Sequence, residues 1–217
     1  MDWYTVKDAV LAVTQDAHAG LGSLPRQSTI STFLFMLTEP TSIPDVLLLT
    51  PEVHKDYRGH FFESFNQKNF PDKVFVQDNH SFSKCNTIRG LHYQVVKPQA
   101  KLVRVVYGII LDVAVDLRRD SPTFKQYVAV QLSADNCKQL YIPEGFAHGF
   151  QVLSEVAEVL YKTTEYWYKE HDRSINYLDP ELNLPWQAPL CVPNENTYHR
   201  RLSVKDLNAP FLKDADY

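Results

Sequence analysis

The sequence is poor in cysteine, and the three it has, Cys85, Cys137 and Cys191, are widely scattered. An odd number with no CxxC spacing supplies neither a disulfide framework nor a zinc-type pairing, and predicts reduced thiols in a cytoplasmic protein. An excess of positive charge is also missing: 22 Lys and Arg stand against 26 Asp and Glu, for a net charge of -4. That balance argues against nucleic acid as a partner, which requires a basic face, but still allows a local cationic pocket for a small anion. No apolar run approaches the ~18 residues of a membrane span; FLFML at 33–37 is typical of the longest. The opening MDWYTVKDAVLAV carries acids early and no basic n-region, so no signal peptide is expected. Internal repeats and low-complexity segments are absent as well. These gaps leave a soluble chain with no membrane association.

What is present is ordinary globular composition, 44% apolar and 22% charged over 217 residues, enough for one domain with an appendage and a sizeable core. Residues 1–40 read as an N-terminal extension. Val6, Val10, Val13 and Ala17 fall at helical spacing before Gly20 and Gly22, and LGSLPRQSTIST follows as a linker. Met36 is an alternative natural start, and the segment before it is expected to carry no chemistry. Residues 41–217 form the domain.

From Ile43 onward the pattern is β. VLLLTPEV, HFFESF, KVFVQDNHSFS, TIRGLHYQ, QYVAVQLS, KQLYIP, GFAHGFQVLS and EVLYKTTEYW are short runs rich in β-branched and aromatic residues. In ILDVAVDLR, Val113, Val115 and Leu117 alternate with Asp112, Ala114 and Asp116, which predicts one face on a core and the other toward solvent or a cavity. Gly108 is placed as a turn between LVRVVY and IILDVAV. Many short strands without long intervening helices indicate an all-β sandwich or barrel. A short helix is expected near LSVKDLNAP.

The chemistry concentrates around IRGLHYQVVKPQAKLVR at 88–104, where His92 and Lys101 lie nine residues apart. A metal site, a proton-transfer site, a phosphate grip and a plain polar surface all fit that pairing. The PEGFAHGF stretch at 143–150 has the Pro-x-Gly-x-x-His spacing of cupin-type jelly rolls. Metal-binding cupins, however, use a His-x-His pair, and here Tyr93 and Gln94 follow His92. His92 and His148 are too few for a dedicated metal site, so metal ligands are read as none. For a single histidine the default is a ring held by a backbone hydrogen bond. The cations Arg58, Arg89, Lys101 and Lys205 and the phenols Tyr161, Tyr166 and Tyr168 make a functional cluster the alternative.

RGHFFESFN, VQDNHS, IRGLHYQ, QAKLVR, DVAVDLRRDSPTF, IPEGFAHGF, EVLYKTTEYW and LSVKDLNAP, in that order between Arg58 and Pro210, together resemble the dTDP-4-dehydrorhamnose 3,5-epimerase family. The resemblance implies a metal-free, cofactor-free cupin-type jelly roll that acts on a dTDP-sugar and works as a homodimer, with an N-terminal strand of one subunit lending nucleoside contacts to the other. It implies His92 as general base, Asp206 as its orienting carboxylate, Tyr161 as general acid and Lys101 as the cation near the 4-keto oxygen. Arg58, Arg89, His148 and Lys205 match positions that hold the diphosphate or the sugar. Glu63, Gln77 and Asn79 match nucleoside contacts, and Asp172 falls at a further ligand-contacting acid. Trp167 stands where the family commonly has a tyrosine that stacks on thymine; an indole stacks at least as well. Tyr166 and Tyr168 are expected to point to the other sheet face.

Overall fold

The β-branched and aromatic runs become fourteen short strands among the residues described in the computed structural model, 32–33, 36–188, 190 and 200–217. In chain order these are β1 (Thr32–Phe33), β2 (Met36–Pro40), β3 (Leu47–Pro51), β4 (His54–Asp56), β5 (Gly59–Phe61), β6 (Gln77–Lys84), β7 (Ile88–Gln94), β8 (Lys101–Tyr107), β9 (Ile109–Asp116), β10 (Tyr127–Ser133), β11 (Gln139–Ile142), β12 (Phe146–Val152), β13 (Val156–Thr163) and β14 (Asp172–Ser174). A single helical turn, α1 (Val204–Leu207), follows in the LSVKDLNAP segment, as expected. The helix expected before Gly20 and its linker lie outside the described residues. Met36–Pro40, counted above with the extension, is a strand paired with β3.

Two sheets carry the fold. The larger runs β1-β2-β3-β11-β8-β13-β6, the smaller β10-β9-β12-β7-β14, and β4 with β5 makes a separate hairpin. Every strand pair is antiparallel, giving the expected all-β jelly roll. The chain changes sheets between β8 and β9 at Gly108, whose φ of 79° suits glycine. A Cβ there would meet the Val156 carbonyl oxygen at 2.1 Å, so the tight turn tolerates no side chain.

The core lies between the sheets. Val103, Val105, Leu140, Ile142 and Val159 of the larger sheet meet Ile110, Ala114, Leu132, Phe146, Phe150 and Val152 of the smaller. The alternation of ILDVAVDLR holds, but neither face is left to solvent, since the strand is buried almost throughout. Val113, Val115 and Leu117 pack under a second layer built from the C-terminal segment, including Leu182 and Leu212. Asp179 pins that layer, accepting from the backbone N–H of Leu212 at 2.6 Å and of Leu182 at 3.1 Å. Burying one such leucine fully contributes about 1.5–3 kcal/mol. The layer also carries α1 to the flank of β7, where Thr87 and Arg201 form a parallel bridge.

Two expectations are corrected. Cys85 is disulfide-bonded, while Cys137 is free and buried; separation along a chain says nothing of separation in space once strands pair. The strand begun by EVLYKTTEYW ends at Thr163, because the Thr163 hydroxyl donates to the Glu165 carbonyl at 2.8 Å and turns the backbone. Trp167 therefore sits in a loop, and sheet alternation does not govern its neighbours. No described helix is long and apolar enough to cross a membrane.

Candidate active site

A cavity of about 270 Å³ is lined by both sheets and by the C-terminal segment. His92 and His148 are direct cross-strand partners on β7 and β12 of the smaller sheet. Lys101 and Tyr161 belong to β8 and β13 of the larger sheet. The two pairs therefore reach the cavity from opposite walls.

His92 Nε2 lies 2.5 Å from Asp206 Oδ1. Asp206 is 2% exposed and sits in α1, whose N-cap Ser203 accepts the Asp206 backbone N–H at 3.1 Å. Burial alone would push the Asp206 pKa up; hydrogen bonding and charge from His92, the Ser203 hydroxyl and the Gly90 amide outweigh it and hold the carboxyl below its ordinary value. A carboxylate so placed fixes which imidazole nitrogen carries the proton and stabilises the imidazolium. Gly90, two residues before His92, lies tight against β12: a Cβ there would lie 2.6 Å from Gly149 Cα.

Lys101 is buried, with Nζ 3.4 Å from the His92 carbonyl oxygen. Burial lowers its pKa to about 8, against the pull of Asp112 and Asp172. His148 is buried too, with Nε2 at 2.8 Å from Asp112 Oδ1, and burial lowers its pKa despite that carboxylate. Burial raises the pKa of the Tyr161 phenol, so it stays protonated at neutral pH. These groups suit carbon–proton chemistry: a half-buried base oriented by a carboxylate, a cation for a developing oxyanion, and a protonated phenol across the gap.

The remaining expected residues divide. Arg89, Gln77, Asn79, Trp167, Asp172 and Lys205 all line the cavity. Arg89 is held by Ser83 Oγ at 2.9 Å and the Phe82 carbonyl at 3.2 Å. Gln77 accepts from the Trp167 backbone N–H at 3.0 Å and donates to Asn79 Oδ1 at 2.9 Å, which ties the indole loop to β6. Lys205 and Asp172 form an ion pair at 2.5 Å. Arg58 and Glu63 do not line the cavity: Arg58 is exposed and paired with Asp56, and Glu63 accepts from Asn66. Tyr166 and Tyr168 also stay outside it, Tyr168 accepting from Lys97 Nζ at 3.0 Å.

Sequence reasoning passed over Asp112, Ser81, Gln94 and Gln99. Asp112 was visible only as the polar side of an alternating strand. Ser81 continues the inward set Gln77, Asn79, a period-2 signal that was available. No group of three or more His, Cys, Asp or Glu positioned to hold a metal ion occurs among the described residues.

Residues 40–214 match the family model described as dTDP-4-dehydrorhamnose 3,5-epimerase. The chain is 52% identical over 183 residues to the dTDP-4-dehydrorhamnose 3,5-epimerase of Pseudomonas aeruginosa, covering 81% of this chain and 95% of that protein. It is similar to the crystal structure of the Legionella pneumophila dTDP-6-deoxy-D-glucose-3,5-epimerase in complex with dTDP-4-keto-L-rhamnose, with a TM-score of 0.77, 44% identity, and 83% and 95% of the two chains covered. The Bacillus anthracis dTDP-4-dehydrorhamnose 3,5-epimerase with TDP and PPi bound gives a TM-score of 0.75 at 44% identity, over 82% of this chain and 99% of that one.

Proposed function

Because the chain belongs to the dTDP-4-dehydrorhamnose 3,5-epimerase family, we propose that it inverts C3 and C5 of dTDP-4-keto-6-deoxyglucose to give dTDP-4-keto-L-rhamnose, a step of dTDP-L-rhamnose biosynthesis. The observation that carries this reading is the arrival of His92 and Tyr161 at one cavity from opposite sheets. Inversion at carbon requires a proton to leave one face and another to arrive at the opposite face. A sugar lying between the two walls presents one face to each.

The proton on C3 or C5 is acidic enough to remove because the 4-keto group accepts the charge. His92 abstracts it, with Asp206 stabilising the imidazolium. Lys101 stabilises the enolate oxygen, an interaction of about 2.7–4 kcal/mol for a preorganised donor. Tyr161 then delivers its proton to the other face; solvent reprotonates the phenolate and takes the proton held by the His92 imidazolium, which restores both groups. The carbon ends at its starting oxidation level, so the reaction needs no redox cofactor.

Arg89 and Lys205 hold the diphosphate, His148 and Asp172 contact the sugar, and Trp167 stacks on the thymine with Gln77 and Asn79 beside it. That remote binding energy positions the ring against His92. Arg58 and Glu63, outside the cavity of their own chain, serve the site of a second copy in a homodimer. The open edge strand β6, with Phe82 exposed on it and Val76 exposed just before it, supports such pairing. A charged sugar nucleotide does not cross a bilayer unaided, which supports a cytoplasmic location. Incubation with dTDP-4-keto-6-deoxyglucose in deuterated water tests the reading: NMR should show deuterium at C3 and C5 with inverted configuration. Unchanged substrate, or chemistry elsewhere on the ring, rejects it.

A further inference from the structure

We propose that Asp112 is a positioning residue of this site, its single buried carboxylate fixing the tautomer of His148 and supplying the counter-charge to Lys101. The inference deepens the epimerase reading of the same cavity and rests on it.

Asp112 is fully buried in the middle of β9, an unusual place for a carboxylate unless something nearby requires its charge. One oxygen, Oδ1, is taken by His148 Nε2 at 2.8 Å; the other, Oδ2, is buried with no hydrogen-bond partner among the described residues. Among the described residues its one direct side-chain partner is thus a histidine that burial keeps neutral, so the negative charge of Asp112 is not met at contact.

A second buried charge of opposite sign, Lys101, faces the same interior from the other sheet. Around that ammonium stand Asp112 from β9, Asp172 from β14, Lys205 from α1 and the imidazoles of His92 and His148. Asp172 is held by Lys205 at 2.5 Å, so its effect on Lys101 is largely cancelled by Lys205. Asp112 and Lys101 make no direct ion pair and act on each other through a dry interior, where fixed charges reach further than in water. The same carboxylate requires the proton of His148 on Nε2. The neutral ring then keeps Nδ1, which has no hydrogen bond among the described residues, as a lone-pair acceptor.

Asp112→Asn keeps the shape and an oxygen for His148 but deletes the charge. The alkaline limb of kcat, set by loss of the Lys101 proton, should move to lower pH by about one unit. KM should change little, and the melting temperature should not fall, since a buried charge has been removed. Should the variant fail to fold, ¹⁵N NMR of the wild-type protein decides: His148 should be neutral with its proton on Nε2 across neutral pH. An unmoved alkaline limb in active Asp112→Asn, or a His148 proton on Nδ1, overturns the proposal. A wild-type enzyme with no exchange at C3 or C5 removes the epimerase reading and the proposal with it, a result distinct from an active wild type with an unmoved limb.

Discussion

His92 on β7 and Tyr161 on β13 face one cavity from the two different sheets of the jelly roll, and Lys101 stands beside His92, its Nζ 3.4 Å from the His92 carbonyl oxygen. The sandwich thereby supplies two walls, and under the proposed function each wall brings its own proton-transfer group.

Lys101 carries the clearest pH signature. Burial brings its pKa down to about 8 from an ordinary value of 10.5. Activity should fall as pH rises through about 8, where the enolate loses its cation. Between that value and the unfolded pKa, the unfolded chain holds a proton that the folded chain has released, so this group's contribution to stability rises with pH across the window. Lys101→Ala should lower kcat by about 10²–10³-fold. Lys101→Arg, which keeps its charge at any working pH, should lose the limb near 8. Rate profiles of the two variants check this; a limb unchanged in Lys101→Arg assigns it to another group.

His92→Asn should bind dTDP as the wild type does and turn over substrate about 10²–10⁴-fold more slowly. Asp206→Asn should fall less far, because the ring remains while its orientation and charge partner are weakened. Isothermal titration with dTDP alongside steady-state assays separates binding from chemistry. Near wild-type turnover by His92→Asn would remove the base from the account.

Much of the architecture was legible beforehand, and the reasons differ from element to element. Short β-branched runs named the strands, and Gly108 marked the turn between sheets because no Cβ fits there. The alternation in ILDVAVDLR was correct as a period, yet a period does not say what covers each face. Leu182 and Leu212, far along the chain, close over the face that carries Val113 and Val115. Asp112 was seen as the polar side of that strand, and only the pairing of β9 with β12 brings it to His148. EVLYKTTEYW looked like one strand because threonine and aromatics favour sheet; the hydroxyl of Thr163 ended it through a bond that propensity does not contain. The cysteine spacing misled for the same reason, since pairing in space is independent of distance in sequence.

Trp167, 53% exposed at the cavity mouth, should act in binding alone. Trp167→Ala should raise KM about tenfold, consistent with ~1–3 kcal/mol for one stacked base, and leave kcat nearly unchanged. Trp167→Tyr should recover most of the loss. A fall in kcat with unchanged KM would place the indole in the chemistry instead.

Arg58 and Glu63 predict an assembly. Sedimentation should give a species of twice 25.0 kDa. Arg58→Ala should raise KM, and at low substrate a mixture of Arg58→Ala and His92→Asn subunits should recover activity that neither shows alone, because one site of each hybrid dimer is intact. A monomer in solution, or no recovery on mixing, means each site is completed by its own chain.

The central claim is that the two walls divide the work, His92 removing the proton from one face and Tyr161 returning one to the other. Tyr161→Phe incubated with dTDP-4-keto-6-deoxyglucose in deuterated water tests it most directly. The account predicts that deuterium still enters the sugar, because His92 can abstract and return a proton on its own face, while inversion nearly stops. Inversion at the wild-type rate, or loss of exchange together with inversion, would contradict the division of labour between the two sheets.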